Sequence, residues 1–134
     1  MFDSLDTSAS ALMAQRVRMD TIAGNVANMN TTRNEHGELA PYRRRFVVFA
    51  NGANANNTHA GVHVHKVELD RAPFRKVYDP GSRDAGPDGY VEYPNIDLAI
   101  EQVNMLEASR AYEANVTMME TTKAMINATL RLIA

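Results

Sequence analysis

Residues 104–133 read NMLEASRAYEANVTMMETTKAMINATLRLI, and their spacing decides the fold. Met105, Ala108, Tyr112, Asn115, Met119, Thr122, Ile126, Thr129 and Ile133 follow one another at alternating steps of three and four, the seam of a helix that packs along its length. No proline or glycine interrupts the chain after Pro94. The spacing therefore predicts one helix from Asp97 to Leu132, roughly 54 Å long at about 1.5 Å per residue. The compact core of a 134-residue chain does not cover a helix of that length, so it needs a partner helix.

The partner lies at the other end of the chain. Leu5, Ser8, Leu12, Gln15, Met19, Ile22, Val26 and Met29 repeat the same rhythm, and Ala9, Ala23 and Ala27 widen the apolar stripe. Asp3 or Ser4 is expected to cap this helix, with Asp6 in its first turn. Asn28, Asn30, Thr31 and Thr32 compete for backbone hydrogen bonds and mark its end, and Pro41 follows. Gly24 weakens the helix by about 1 kcal/mol relative to alanine and is expected to mark a bend or a close approach.

Between the helices the pattern changes. Tyr42 to Phe49 is aromatic and β-branched and reads as a strand, closed by the turn pair Asn51-Gly52. Asn51 to Ala60 has the composition of a flexible loop. A second strand is predicted from Gly61 to Leu69, where Val62 and Val64 share one parity while Val67 and Leu69 have the other. That switch implies a bulge or a strand buried on both sides. Pro73, Pro80, Gly81, Gly86, Pro87 and Gly89 leave room for short segments near Phe74–Tyr78 and Tyr90–Tyr93. The expected fold is mainly α: a coiled-coil-like domain from residues 1–32 with 95–134, and a small β-rich or irregular insert from 33–94.

Composition narrows the functional classes. The 45% hydrophobic content suits one folded domain, and no apolar run is long enough for a transmembrane span or a Sec signal core. Cysteine is absent, which removes disulfides, thiol nucleophiles and thiolate metal sites. A net charge of −2 offers no field for nucleic acid or an anionic membrane. Protein partners are expected.

Candidate chemistry is thin. His63 and His65, two apart on a predicted strand with His59 upstream, could start a metal site, but no further ligand stands at a recognisable spacing, so a solvated strand face is expected. Arg43, Arg44 and Arg45 alternate sides of a strand, which suits surface or interface salt bridges better than a phosphate patch. Asp97, Glu101 and Glu107 are expected on the wet face of the long helix, with no nucleophile motif or phosphate-binding glycine loop beside them. No catalytic, cofactor or metal residue is assigned. Asn115, Thr122 and Thr129, polar on the main seam, are the positions expected to set register and partner number.

Two blocks carry a resemblance. Ser10-Ala11-Leu12-Met13-Ala14-Gln15-Arg16 leading to Asn25-Val26-Ala27-Asn28-Met29-Asn30-Thr31-Thr32 resembles the N-terminal signature of the axial proteins of the bacterial flagellum, the rod and hook subunits. Tyr93-Pro94-Asn95-Ile96, then Glu101 through Asn115 with Asn104, Arg110 and Tyr112, resembles their C-terminal signature. The short insert is similar to that of a proximal rod subunit, since distal rod and hook proteins carry much larger inserts. The resemblance implies a structural subunit of the periplasmic basal-body rod. It would be exported unfolded through the flagellar type III apparatus without a cleaved Sec signal, and would stack with copies of itself and adjacent rod proteins into a hollow, torque-bearing tube. Leu5, Leu12, Met19, Ile22, Val26 and the C-terminal seam would then pack helices within and between subunits. The rival reading is a helical adaptor or export chaperone that binds one partner helix in a groove.

Overall fold

The computed structural model describes residues 2–52 and 61–134. The elements in order are α1 (Phe2–Ala27), β1 (Arg45–Asn51), β2 (Val62–Leu69), β3 (Arg75–Tyr78), β4 (Tyr90–Tyr93) and α2 (Leu98–Ile133). At about 1.5 Å per residue the helices run roughly 39 and 54 Å.

The helices lie antiparallel. Asn25 meets Glu101, Arg18 meets Glu107 at 3.1 Å, and the Ser109 hydroxyl donates to Met19 Sδ at 3.6 Å. Continued down the pair at the same rise, that register brings Phe2 level with about Ala124. The last turns of α2 thus run past the start of α1.

Each end of α2 follows from its sequence. Asp97 stands at the N-cap and accepts from the amides of Ala99 at 2.8 Å and Ile100 at 3.4 Å. Pro94 and Ile96, buried just before it with Val91 of β4, anchor the entry. At the other end Arg131 lies in the last turn, where a cation complements the helix dipole. α1 begins earlier than a cap at Asp3 or Ser4 requires: it is already helical at Phe2, and Asp3 occupies its first turn. Its exit matches the polar cluster. Asn28 Nδ2 donates to the Gly24 carbonyl at 2.9 Å, and the Thr31 hydroxyl bonds Asn28 Oδ1 at 3.2 Å. Gly24 marks no tight approach, because a Cβ there would meet Tyr42 Oη at an ordinary 3.8 Å, and α1 runs on through it to Ala27.

The insert forms two separate antiparallel hairpins, β1–β2 and β3–β4. β1 starts at Arg45 rather than Tyr42 and runs on to Asn51; Gly52, with φ of 93°, begins the turn. The parity switch in β2 is a bulge: Val48 pairs with Lys66 and Phe49 with Val64, leaving His65 as the extra residue. Val67 and Leu69 beyond it are exposed, so the strand is not buried on both sides. Residues 53–60, with His59 and most of the expected loop, lie outside the described residues.

A third cluster ties the start of the insert to its second hairpin. Thr32 Oγ1 donates to Asp84 Oδ2 at 2.6 Å, and Arg33 Nε donates to Asp84 Oδ1 at 2.8 Å. That hydroxyl and the guanidinium beside it hold the Asp84 carboxyl below the usual carboxylate range.

Candidate assembly surface

The helix seam supplies most of the packing. Ala108 and Thr122 of α2 and Ser8, Ala14 and Ile22 of α1 are buried; Leu5, Leu12, Met19, Val26, Met105, Tyr112, Asn115, Met119 and Ile126 are half-buried. Most of the seam is therefore used inside one chain, between α1, α2 and the first hairpin. It runs out at the end of α2, where Thr129 and Ile133 are exposed.

The polar seam residues satisfy themselves on their own helix. Asn115 Nδ2 donates to the Ala111 carbonyl at 2.8 Å, Thr122 Oγ1 to Met118 at 2.9 Å, and Thr129 Oγ1 to Met125 at 2.9 Å. This back-bonding lets Asn115 and Thr122 sit in a packed stripe without a polar partner across it, while Thr129 is exposed. Gln15 is different: its buried Oε1 has no hydrogen-bond partner among the described residues.

Sequence reasoning placed Glu101 on the wet face, and the structure corrects this. Glu101 is 0% exposed, and so is Asn25 beside it. Arg44 Nε donates to Glu101 Oε1 at 2.7 Å, and Asn25 Nδ2 donates to Glu101 Oε2 at 3.2 Å. The Asn25 amide also donates to the Arg45 carbonyl at 2.7 Å and accepts from the Arg45 N–H at 2.9 Å. One side chain of α1 thus pairs with β1 as a neighbouring strand would. The available signal was phase: Glu101 lies four residues before Met105, on the seam itself. Asn25, a residue of the N-terminal signature block, is the centre of this network, while Asn28 and Thr31 make the helix exit.

The first hairpin is held at a second point. Ser10 Oγ accepts from the Val62 amide at 3.2 Å and donates to the Thr7 carbonyl at 2.7 Å. Gly61 lies so close that a Cβ on it would stand 2.5 Å from Ser10 Oγ.

The arginine run divides by role. Arg44 is the half-buried partner of Glu101 and also lies 3.8 Å from Asp70. Arg43 donates to the Ala72 carbonyl at 2.7 Å and stacks 3.9 Å over Phe74, and Arg45 stands 5.5 Å from the centre of the Tyr42 ring. An open cleft of about 300 Å³ between α1, α2 and β1 is lined by Arg18, Ile22, Arg44, Phe46 and Asn104. Two of its guanidiniums are already neutralised by Glu107 and Glu101.

His63 is half-buried with Nδ1 3.2 Å from the Gly52 carbonyl oxygen, and His65 is the exposed bulge residue. Among the described residues no three histidines or carboxylates gather where they could hold a metal ion. Asn95 and Arg110 are exposed.

What stands out is apolar surface without cover. Ile100, Val103, Leu106, Met118, Met125, Leu130, Leu132 and Ile133, all on α2, are more than half exposed. Among the described residues no helix is long and apolar enough to cross a membrane. Protein neighbours are the chemistry such a face fits.

Comparison with known proteins agrees at both ends and over the full length. Residues 5–33 match the family model described as flagella basal body rod protein, and residues 88–132 match flagellar basal body rod FlgEFG protein C-terminal. The chain is 44% identical over 139 residues to the flagellar basal-body rod protein FlgC of Bacillus subtilis, covering 93% of each chain. It is 37% identical to FlgC of Borreliella burgdorferi, covering 99% of this chain and 97% of that one. With FlgC of Salmonella typhimurium it shares 39% identity over 98% and 97%. The two helices with their exposed apolar face, and these full-length relatives, lead to one conclusion: the chain belongs to the FlgC family of flagellar basal-body rod proteins, structural subunits of the rod.

Proposed function

We propose that copies of this chain assemble with one another and with adjacent rod proteins into a hollow helical rod that transmits torque and passes exported subunits. In this assembly the α1–α2 pair lines up roughly along the rod axis, and residues 33–94 form a small outer layer around the helical unit of 1–32 with 95–134. The chain reaches the periplasm unfolded, through the flagellar type III apparatus. The observation that carries this reading is the exposed apolar face of α2 on a chain whose full-length relatives are rod proteins. An adaptor that grips one partner helix in a groove has no such support, because α1 already occupies the seam of α2.

Met118→Asp tests the proposal without disturbing the fold. Met118 is exposed in the single chain, so the carboxylate stays in water before assembly. Between packed subunits it is an unpaired buried charge that costs several kcal/mol, repeated in every copy. The expected outcome is a variant with normal circular dichroism and normal export that builds no rod, leaving cells non-motile. Swimming cells carrying Met118→Asp would remove the α2 face from the assembly.

A further inference from the structure

The methionines of the helix pair divide into two groups. Met19, Met105 and Met119 are half-buried on the seam, and the Ser109 hydroxyl donates to Met19 Sδ at 3.6 Å, which engages a sulfur lone pair. Met118 and Met125 are 58% and 57% exposed on α2. They are seven residues apart, so at about 100° per residue they stand within roughly 20° of one another around the helix. Ala114, Thr121, Ala128 and Thr129 flank them on that face. The Thr121 and Thr129 hydroxyls are already committed to the carbonyls of Thr117 and Met125, each at 2.9 Å. Among these small side chains the two thioethers are the bulky apolar groups. Both are open to solutes in the single chain, with no uncommitted threonine hydroxyl beside them.

We propose that Met118 and Met125 are sites of sulfoxidation by hydroperoxides in the free subunit, and that the sulfoxides keep the chain out of the rod. The proposal rests on the rod-subunit reading and sets a chemical condition on it. A sulfur lone pair attacks one peroxide oxygen, the O–O bond breaks and an S–O bond forms; with hydrogen peroxide the other oxygen leaves as water, carrying both hydrogens. The sulfur gives up two electrons and the peroxide takes them. An apolar side chain thereby becomes a polar one whose oxygen accepts hydrogen bonds from water. Packed against a neighbouring subunit, that oxygen would lose its water, and the committed threonines offer it no proton in exchange, so the oxidised face stays solvated. Met119, next in sequence but turned into the seam, is shielded within the chain.

The folded chain is treated with dilute hydrogen peroxide, and tandem mass spectrometry of its peptides follows the gain of one oxygen at each methionine. Met118 and Met125 are expected to oxidise about fivefold faster than Met19, Met105 and Met119. Equal rates overturn the assignment. In isolated basal bodies the same two residues are expected to be protected. Cells are then made to carry either the unaltered chain or Met118→Leu with Met125→Leu, a swap that conserves volume and removes both sulfurs. Each strain builds new flagella in sublethal peroxide and is compared with its own untreated culture. The unaltered strain loses flagella, and its sulfoxide form accumulates outside the rod; the leucine strain keeps its number. Met13, 74% exposed on α1, stays in both chains and controls for oxidation elsewhere. The same flagellar number in both treated strains overturns the exclusion. The two readings fail separately. Met118 and Met125 reacting as fast in basal bodies as in the free chain would remove this face from the assembly, whereas protection there with no difference between the strains would leave the rod-subunit reading standing and this site without effect.

Discussion

Two glycines on either side of the same packing surface should respond in opposite ways to one added methyl group. Gly24 sits inside α1 with space for a Cβ, and its carbonyl, which accepts from Asn28, is untouched by the change. Gly24→Ala should therefore stabilise the fold by about 0.5–1 kcal/mol, mainly by restricting the unfolded chain. Gly61 has no such space. Its Cβ would displace Ser10 Oγ and meet Ser10 Cβ at 3.3 Å, so the Val62 amide would lose its acceptor. Gly61→Ala should cost about 1–3 kcal/mol and raise hydrogen exchange at Val62. Urea denaturation of both variants checks the signs; a destabilised Gly24→Ala, or a neutral Gly61→Ala, would mean that the first hairpin sits differently on α1. The composition of α1 showed neither outcome, since what distinguishes these glycines is contact with Tyr42 and Ser10, distant in sequence.

At the scale of elements, what the sequence conveyed was periodicity, and what it withheld was pairing. The three-four rhythm from Met105 to Ile126 located α2 and its inner face, and the parity of Val62, Val64, Val67 and Leu69 signalled a bulge or a doubly buried strand, of which the structure has the bulge, at His65. Glu101 was misjudged because its partner Arg44 is 57 residues away, and a carboxylate on a helix is ordinarily solvated. The overhang of α2 was equally hidden, because helix lengths alone do not fix a register. The buried network gives a direct measure of how firmly the elements are joined. Glu101→Ala leaves Arg44 without its near partner and deprives the Asn25 amide of one acceptor. Removing one side of a buried ion pair costs about 3–5 kcal/mol, but the Arg44 side chain is 23% exposed and can turn to Asp70. A loss of about 2 kcal/mol is therefore expected, with Glu101→Gln costing less because its amide oxygen still accepts. Equal stability of Glu101→Ala and the unaltered chain in urea would remove the network as the joint between α1, β1 and α2.

For the whole molecule, a helix pair with a short insert is a shape that makes sense in company. α2 is longer than α1, its back and its far end are apolar, the first hairpin is pinned to α1 at Asn25 and Ser10, and the second is tied through Asp84 to Thr32 and Arg33 just beyond α1. The first hairpin is thus joined to α1 at two separate points, one on each of its strands. The most direct test is a helical reconstruction, by electron cryomicroscopy, of a rod containing this chain. The expected result is a set of α2 helices running roughly along the axis, with Val103, Met118 and Leu132 buried against neighbouring subunits and the hairpins outermost. A rod in which that face of α2 remains open to solvent, with the hairpins making the contacts between subunits, would contradict the account.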